Sequence, residues 1–229
     1  PRPVKAIDAA IPAPQPRIVL IDRPNSPQSV IVAGRVLPIN GTAANMEALD
    51  LANEVLGNGF LSRLNSDLRE DKGWSYGVRS GVRSPKGPRS LVLTAPVQAD
   101  RTGDSIALIL ADMRAFPKTK GVDPTELARV TDGNIRGLPN EFETNGQVMG
   151  AILGNQLLGR PDDYQVSLPT RYRAIDAKAI DGAAAQYLQP AGLVFVVVGD
   201  RKLVEPQLRK LGLPIEIAPT VDSSPAKGE

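Results

Sequence analysis

The sequence contains no cysteine and no histidine, and this absence restricts both what can stabilise the chain and what chemistry it can perform. No disulfide framework can form, so cysteine usage does not indicate an oxidising or a reducing compartment. A typical zinc site needs mostly nitrogen and sulfur ligands, and nucleophilic systems built on histidine or cysteine need those side chains too. The chemistry open to this chain alone is that of carboxylates, of serine with lysine, or of cations bound through oxygen atoms.

The size and charge of the chain narrow its class. A length of 229 residues with 41% hydrophobic residues suits one large domain with a packed interior. The 27 lysines and arginines and the 25 aspartates and glutamates alternate in sign along the chain, whereas proteins that follow phosphates gather their cations on one face. The longest apolar stretch, at 191–198, is far shorter than the ~20 residues of a membrane-spanning helix. We therefore expect no nucleic-acid partner and no membrane span.

Proline marks one of the predicted domain boundaries. Five of the 21 prolines fall within residues 1–16, interleaved with alanine, and this composition is typical of a stiff, extended linker. Residues 219–229 are small and polar, as in a frayed tail. We expect a Pro/Ala-rich linker at 1–16, a folded domain at 17–218 and a polar tail at 219–229. Because the first residue is proline rather than methionine, the chain is expected to be processed or to be a piece of a longer one.

Hydrophobic periodicity and capping signals predict a mixture of strands and helices. Strands are predicted at 18–22, 29–36, 74–82, 91–97, 193–198 and 214–217. Helices are predicted near 48–56, 60–71 and 106–113, after caps at Asp123, Asp176 and Asp200, and from a cap at Asn140 to about Gly159. The continuous apolar run at 193–198 predicts a strand buried on both faces. Because strands and helices do not alternate strictly, we expect an α+β fold in which helices cover a largely antiparallel sheet.

One segment, at 56–80, places polar groups beside a predicted buried helix face. The ridge of the helix at 60–71 is predicted to be apolar, and Arg69 lies off it in the last turn, where a cation suits the helix dipole. Gly73 is predicted to end this helix in the left-handed conformation, and Tyr76 follows on the next strand. Such a turn can bring a guanidinium and a phenol together as donors to a carbonyl oxygen or oxyanion. The spacing alone favours a structural interpretation, in which Arg69 neutralises helix-end carbonyls and Tyr76 packs at the surface.

The predicted apolar ridge of that helix consists of Phe60, Leu61, Leu64 and Leu68. On the strand predicted to follow, Trp74, Tyr76 and Val78 are expected to share one face.

The same segment resembles a stretch of the pitrilysin-type (M16, inverzincin) zinc peptidases that reads approximately LG-G-x-x-SRL-x-x-x-LRE-x-x-G-x-x-Y. The matching residues are Leu56, Gly57, Gly59, Ser62, Arg63, Leu64, Leu68, Arg69, Glu70, Gly73 and Tyr76. Weaker similarity is present at 21–28, 138–144, 162–164 and 196–200, so the resemblance covers nearly the whole predicted domain.

The resemblance implies an M16 peptidase domain, of the type also found in the mitochondrial processing peptidase, and a division of labour between two homologous halves. In that family one half holds zinc through a His-x-x-Glu-His helix, while the other contributes an arginine and a tyrosine with the spacing of Arg69 and Tyr76. Since this sequence lacks histidine, it resembles the metal-free half. Arg69 and Tyr76 would then bind a substrate peptide carbonyl and stabilise the tetrahedral intermediate of hydrolysis.

The expected partners follow from the same resemblance. Zinc is expected in a homologous zinc-binding M16 half, carried by the same polypeptide or by a separate subunit, and no cofactor is expected in this chain. The isolated chain is expected to cleave nothing, and the family suggests a bacterial periplasm or cell envelope as its location. Two other interpretations stay open, namely an inactive peptidase-like subunit that binds peptides or a partner protein, and an oxygen-ligated cation site.

Three further motifs carry less weight. Residues 57–59 lack the Gly-Lys-Ser/Thr that would follow in a phosphate-binding loop, so a helix end is the better interpretation. The Ser-x-x-Lys spacing at 224–227 lies in the predicted tail. Residues 162–163 fit a solvated loop better than a cation site, because hard cations need about six oxygen ligands or more.

Overall fold

A single sheet organises the part of the chain that the computed structural model describes, which is residues 10–219 apart from 12, 14 and 45. Its strands are β1 (Arg17–Asp22), β2 (Gln28–Asn40), β3 (Arg79–Arg83), β4 (Pro88–Gln98), β5 (Val194–Gly199) and β6 (Ile215–Ile217). Their order across the sheet is β3-β4-β2-β5-β1-β6. Antiparallel pairing joins β3 to β4, β4 to β2 and β2 to β5, whereas β1 is parallel to both β5 and β6.

The α-helices in the described residues are α1 (Glu47–Leu56), α2 (Arg63–Asn65), α3 (Thr102–Ala115), α4 (Pro124–Gly137), α5 (Asn145–Leu158), α6 (Tyr164–Arg173), α7 (Ala177–Tyr187) and α8 (Arg201–Arg209). Helix α2 continues as a π-helical segment, Ser66–Asp71, and short 3₁₀ turns lie at Ala99–Arg101 and Leu138–Phe142. The predicted α+β fold with a largely antiparallel sheet is confirmed, because three of the five strand pairings are antiparallel. In the described part of the chain, no helix is both long and apolar enough to cross a membrane.

Among the described residues, helices cover one face of the sheet. Along β5, Phe195 and Val197 are buried, whereas the valines that alternate with them are only half-buried. The same alternation runs along β4. The prediction that the strand at 193–198 is buried on both faces is therefore wrong. A run of β-branched residues suits either environment, and burial is decided by where the helices pack.

Most helix starts follow from local capping chemistry. Asp123 and Glu126 form a reciprocal capping box at the start of α4, and the side chains of Asp176 and Asp200 accept backbone N–H groups at 2.8 Å and 3.0 Å. These three predicted caps are confirmed. The predicted cap at Asn140 is wrong, because Thr144 caps α5 in a box with Gln147 and the preceding residues form a 3₁₀ turn.

The observed elements begin at Arg17 and end at Ile217. Most of the predicted linker at 1–16 and nearly all of the predicted tail at 219–229 lie outside the described residues, so this division into linker, domain and tail stays a prediction.

A buried arginine ties the start of β4 to α1. Arg89 is 1% exposed, and its Nη2 donates to Asp50 Oδ1 at 2.8 Å and to Ser84 Oγ at 2.5 Å. Its Nε also donates to the carbonyl of Arg83 at 3.3 Å. A charge this deep is tolerated because these acceptors replace its water.

Replacing Arg89 by Ala should lower the free energy of unfolding by about 3 kcal/mol, because removing this large buried side chain leaves a cavity and removes its hydrogen bonds to Asp50, Ser84 and Arg83. Urea denaturation monitored by circular dichroism measures the change. The matched control is Arg136→Ala, which removes an exposed ion pair to Asp132 on α4 and should cost about 0.5 kcal/mol or less. Equal losses in the two variants would contradict the assignment of Arg89 as a buried structural tie.

Candidate functional site

A cavity of about 320 Å³ lies between the loop after α1, the π-helical segment and the start of β3. Its walls are formed by Asn58, Gly59, Phe60, Asn65, Arg69, Tyr76, Gly77, Val78 and Arg79. The two residues that the sequence singles out, Arg69 and Tyr76, are both in this lining. The structure thus brings a guanidinium and a phenol to one concave surface, which supports the expectation drawn from the tight turn between them.

Arg69 is held in place from two sides yet stays accessible. Its guanidinium carbon lies 4.2 Å from the centre of the Phe60 ring, and its Nη1 lies 3.1 Å from Glu70 Oε1. The side chain is 33% exposed. Stacking on an aromatic face restricts the direction of a guanidinium without using its in-plane N–H donors. Arg69 therefore keeps donors available for a bound group.

The chain before Arg69 differs from the sequence prediction. Phe60 and Leu61 are each 63% exposed, so the prediction that they lie on a buried helix ridge is wrong, although Leu64 and Leu68 are buried as expected. The reason is that the chain from 57 to 62 forms a turn, and helix α2 begins only at Arg63. Phe60 is thereby free to stack under the Arg69 guanidinium.

The helical segment that carries Arg69 is π-helical rather than α-helical. Its wider turn is seen in the Lys72 N–H, which donates to the carbonyl of Asp67 at 3.1 Å. Such segments are rare and are frequently found at functional sites. Gly73 then ends the helix with a φ of 64°, which confirms the predicted left-handed position. No feature of the sequence distinguishes this π-turn from an α-turn.

Tyr76 lies on a short pinned loop and not on a strand. Ser75 Oγ donates to the carbonyl of Pro96 on β4 at 2.6 Å, and the Gly77 N–H donates to Ser75 Oγ at 3.1 Å. The Tyr76 side chain is 85% exposed, whereas Val78 is fully buried. The predicted strand at 74–82 therefore begins only with β3, and the prediction that Tyr76 and Val78 share one face is wrong. The loop fixes the backbone on both sides of an accessible phenol.

Asn65 joins the three segments that form the cavity. Its Nδ2 lies 2.8 Å from the carbonyl oxygen of Gly59 and 2.7 Å from that of Val78, and its Oδ1 accepts from the Val78 N–H at 2.8 Å. The side chain is nearly fully buried. Sequence reasoning missed this residue. The available signal was its spacing, because Asn65 lies three residues before Leu68 and so shares a face with a buried position.

Gly57 allows the end of α1 to approach β3. A Cβ at this position would lie 2.7 Å from Ser80 Oγ and 3.1 Å from Leu64 Cδ1. The Ser80 N–H donates to the Gly57 carbonyl at 2.9 Å, and Ser80 Oγ donates to Asn53 Oδ1 at 2.8 Å. Close packing therefore requires glycine at position 57, since a side chain would push β3 away from the helix. The predicted helix end at Gly57 is confirmed.

The second arginine of the motif, Arg63, has a structural role. Its Nε and Nη2 donate to the two carboxylate oxygens of Glu126 at 2.7 Å and 2.5 Å, and the guanidinium lies 4.5 Å from the centre of the Phe116 ring. It also donates to the backbone carbonyls of Lys120 and Gly121. These contacts hold α2 against α3 and α4. The guanidinium donors of Arg63 are thus bonded within the fold, in contrast with those of Arg69.

A carboxyl pair lies next to this arginine clamp. Asp112 on α3 is mostly buried, and its Oδ2 has no hydrogen-bond partner in the described part of the chain. Burial and the neighbouring Asp67 of the π-helical segment raise the pKa of Asp112 to about 7, against the opposing effect of Lys120 and Arg63. Lys120 Nζ lies 4.0 Å from Asp112 Oδ1. A protonated Asp112 can share its hydrogen with Asp67 and so join the π-helical segment to α3.

The described residues contain no group of three or more acidic side chains placed to hold a metal ion. The sequence itself supplies no histidine or cysteine. The donor set of this chain therefore does not fit a zinc site, whose ligands are mostly imidazole and thiolate.

The sequence matches a family model described as peptidase M16 inactive domain over residues 1–133. The chain belongs to this family. No curated protein sequence matches it. The family assignment agrees with the resemblance of the segment around Arg69 and Tyr76, which lies inside the matched range.

Several solved structures with the same fold come from bacteria. The crystal structure of a peptidase M16 inactive domain from Pseudomonas fluorescens superposes with a TM-score of 0.77 at 21% identity, covering 87% of this chain and 47% of that one. A protease from Helicobacter pylori gives 0.70 at 14% identity, with 86% and 47% covered. The periplasmic protease PqqL from Escherichia coli gives 0.63 at 18% identity, with 82% and 21% covered. At these identities the likeness concerns the fold, and this chain spans less than half of each of these proteins.

Replacing Asn65 by Ala should lower the free energy of unfolding by about 2 kcal/mol, because the buried N–H and carbonyl of Val78 lose their partners. Hydrogen exchange of the Val78 amide should accelerate with it, and urea denaturation gives the free energy. The control is Asn58→Ala, which removes an exposed amide of the same cavity and should change stability by about 0.5 kcal/mol or less. An unchanged Val78 exchange rate in the Asn65 variant would contradict this role.

The titration of Asp112 should make the chain less stable as pH rises. Folding raises the pKa of Asp112 from 3.8 to about 7, so between these values the unfolded state gives up the proton that the folded state retains. Stability should therefore fall from about pH 4 to about pH 7 and then level off. Asp112→Asn should flatten this decline, and at pH values above 7 it should raise the Tm. Thermal unfolding at a series of pH values measures both effects. The exposed Asp132→Asn is the control, and a slope unchanged by Asp112→Asn would contradict the assignment.

Proposed function

We propose that this chain is the metal-free half of an M16 zinc metalloendopeptidase, in which Arg69 and Tyr76 bind the substrate peptide and stabilise the tetrahedral intermediate. The observation that carries this proposal is that both side chains line one cavity and both are accessible from solvent. If Arg69 and Tyr76 had only a structural role, their donors would be bonded to other residues of the chain, as those of Arg63 are. The accessible pair instead supports a role toward a bound molecule.

The chemistry of the two donors suits a peptide carbonyl. A guanidinium N–H and a phenol O–H directed at one oxygen stabilise the negative charge that develops there when the carbonyl carbon is attacked. Phe60 and Glu70 hold the Arg69 guanidinium, and the loop tied by Ser75 holds the backbone at Tyr76. Donors positioned before the substrate arrives need little reorganisation during the reaction.

The metal belongs to another half in this proposal. The donor set of this chain does not fit zinc, so a homologous zinc-binding M16 half, in the same polypeptide or in a separate subunit, would supply the metal and the attacking water. The proposal is supported by the lengths of the solved relatives, since this chain spans 47% of two of them. Accordingly, the isolated chain is expected to show no proteolysis.

Reconstitution with a zinc-bearing M16 half tests the proposal. Arg69→Ala and Tyr76→Phe should each lower kcat for peptide hydrolysis by about 100-fold or more, the loss typical of one oxyanion donor. Association of the halves, followed by analytical ultracentrifugation, should not change. The controls are Arg136→Ala and Tyr187→Phe, which alter the same residue types away from the cavity. If the Arg69 and Tyr76 variants retain the wild-type rate, the proposed role of these residues is wrong.

A second candidate function is that of a non-catalytic subunit that binds peptides or a partner protein. One observation favours contact with another protein, namely the exposed apolar side chains of α5, which are Val148, Met149, Ile152, Leu153 and Leu157. Apolar groups clustered on one exposed helix are typical of interaction surfaces. The reconstitution experiment separates the two functions, because a scaffold would associate with its partner and tolerate both Arg69→Ala and Tyr76→Phe.

A further inference from the structure

The candidate cavity contains a second arginine that the proposed chemistry does not use. Arg79 is the first residue of β3, which is an edge strand of the sheet, and it lines the cavity together with Arg69. Its side chain is exposed, and no carboxylate lies within ion-pair distance of it in the described ranges. Arg79 thus adds a second arginine to the cavity wall, and the described residues provide no acidic partner for it.

The charge of the cavity wall is positive. Arg69 and Arg79 are its charged members, and no aspartate or glutamate is among the lining residues. Glu70 pairs with Arg69 but is not part of the lining. A wall with two guanidinium groups and no carboxylate favours an anionic ligand, and a guanidinium binds a carboxylate in a fork of two hydrogen bonds.

The volume of the cavity limits what can enter. At about 320 Å³ it is at the lower end of ligand pockets, which span roughly 300–1,000 Å³. This is enough for a side chain or a chain end, not for a long peptide segment. A carboxylate on a residue next to the carbonyl held by Arg69 and Tyr76 would fit both the size and the charge.

We propose that Arg79 binds a carboxylate of the substrate, so that the site selects acidic peptides. This inference rests on the proposed function for the placement of the peptide carbonyl. The carboxylate has two sources in a peptide, the side chain of aspartate or glutamate and the free C-terminus. Both present the same group to Arg79, and the experiment distinguishes them.

Fluorescence anisotropy of short fluorescein-labelled peptides, titrated with the 229-residue chain, tests the inference. The first two peptides are amidated at the C-terminus and differ only in a central Asp or Asn. A third has the Asn sequence with a free terminal carboxylate. A carboxylate held by a charge-assisted pair should bind about tenfold more tightly than its neutral counterpart. A gain in the Asp peptide identifies the side chain as the source, and a gain in the third peptide identifies the C-terminus.

Variants at Arg79 test whether this residue causes the preference for a peptide carboxylate. Arg79→Ala should abolish the tenfold preference, and Arg79→Lys should retain part of it as a point charge without the fork. The matched control is Arg83→Ala, because Arg83 is exposed on the same strand but is not part of the cavity lining. This control should keep the full preference.

Three results would each overturn the inference. They are equal binding of the three peptides, no binding of any peptide, and a preference that survives Arg79→Ala. The proposed function is judged separately by cleavage of the same peptides after reconstitution with a zinc-bearing half. Cleavage without an acidic preference would leave the proposed function intact and remove the inference. An Arg79-dependent preference without any cleavage would retain carboxylate binding and remove the proposed function.

Discussion

The candidate site depends on the hydrogen bonds made by the buried side-chain amide of Asn65. This amide bonds to the loop before α2 through Gly59 and to both backbone groups of Val78, just before β3. These two segments are otherwise separated by the π-helical turn that carries Arg69. Because a buried amide must satisfy its own donors and acceptor, it permits only a narrow range of positions for the chain around it. This constraint and the Ser75 contacts that hold the Tyr76 loop set the mutual placement of Arg69 and Tyr76.

The rest of the fold supports this junction from behind. Arg63 clamps α2 to Glu126 at the start of α4, while Asp112 on α3 lies beside Asp67 of the π-helical segment. Structural contacts thus hold α2 and the inner side of the π-helical segment, where Leu68 is buried. Its outer side presents Arg69 to the cavity, where the proposed function needs an accessible guanidinium.

Much of this arrangement could be predicted from the sequence. The α+β class follows from periodicity, and the helix starts at Asp123, Asp176 and Asp200 follow from local hydrogen bonding, which needs no tertiary information. The tight turn at Gly73 predicts that Arg69 and Tyr76 can meet at one site, and the motif resemblance singles them out. These features depend on residues that are close in sequence, which is why a single sequence reveals them.

The remaining features depend on contacts between distant segments. Helical spacing predicts Phe60 on a buried ridge, but Asn65 and Ser62 donate to the Gly59 carbonyl and hold this stretch as a turn. The strand expected from Trp74 starts later because Ser75 bonds to β4 and redirects the chain. Neither the partner of Asn65 nor that of Ser75 can be read from local pattern.

The most direct measurement of the central claim is a double-mutant cycle on kcat/KM for the reconstituted peptidase, using Arg69→Ala, Tyr76→Phe and the variant with both changes. If the two donors act on one carbonyl oxygen as a unit, the double variant should lose far less activity than the product of the two single losses. Losses that simply multiply would show that the two residues act independently, and would contradict a shared site for Arg69 and Tyr76.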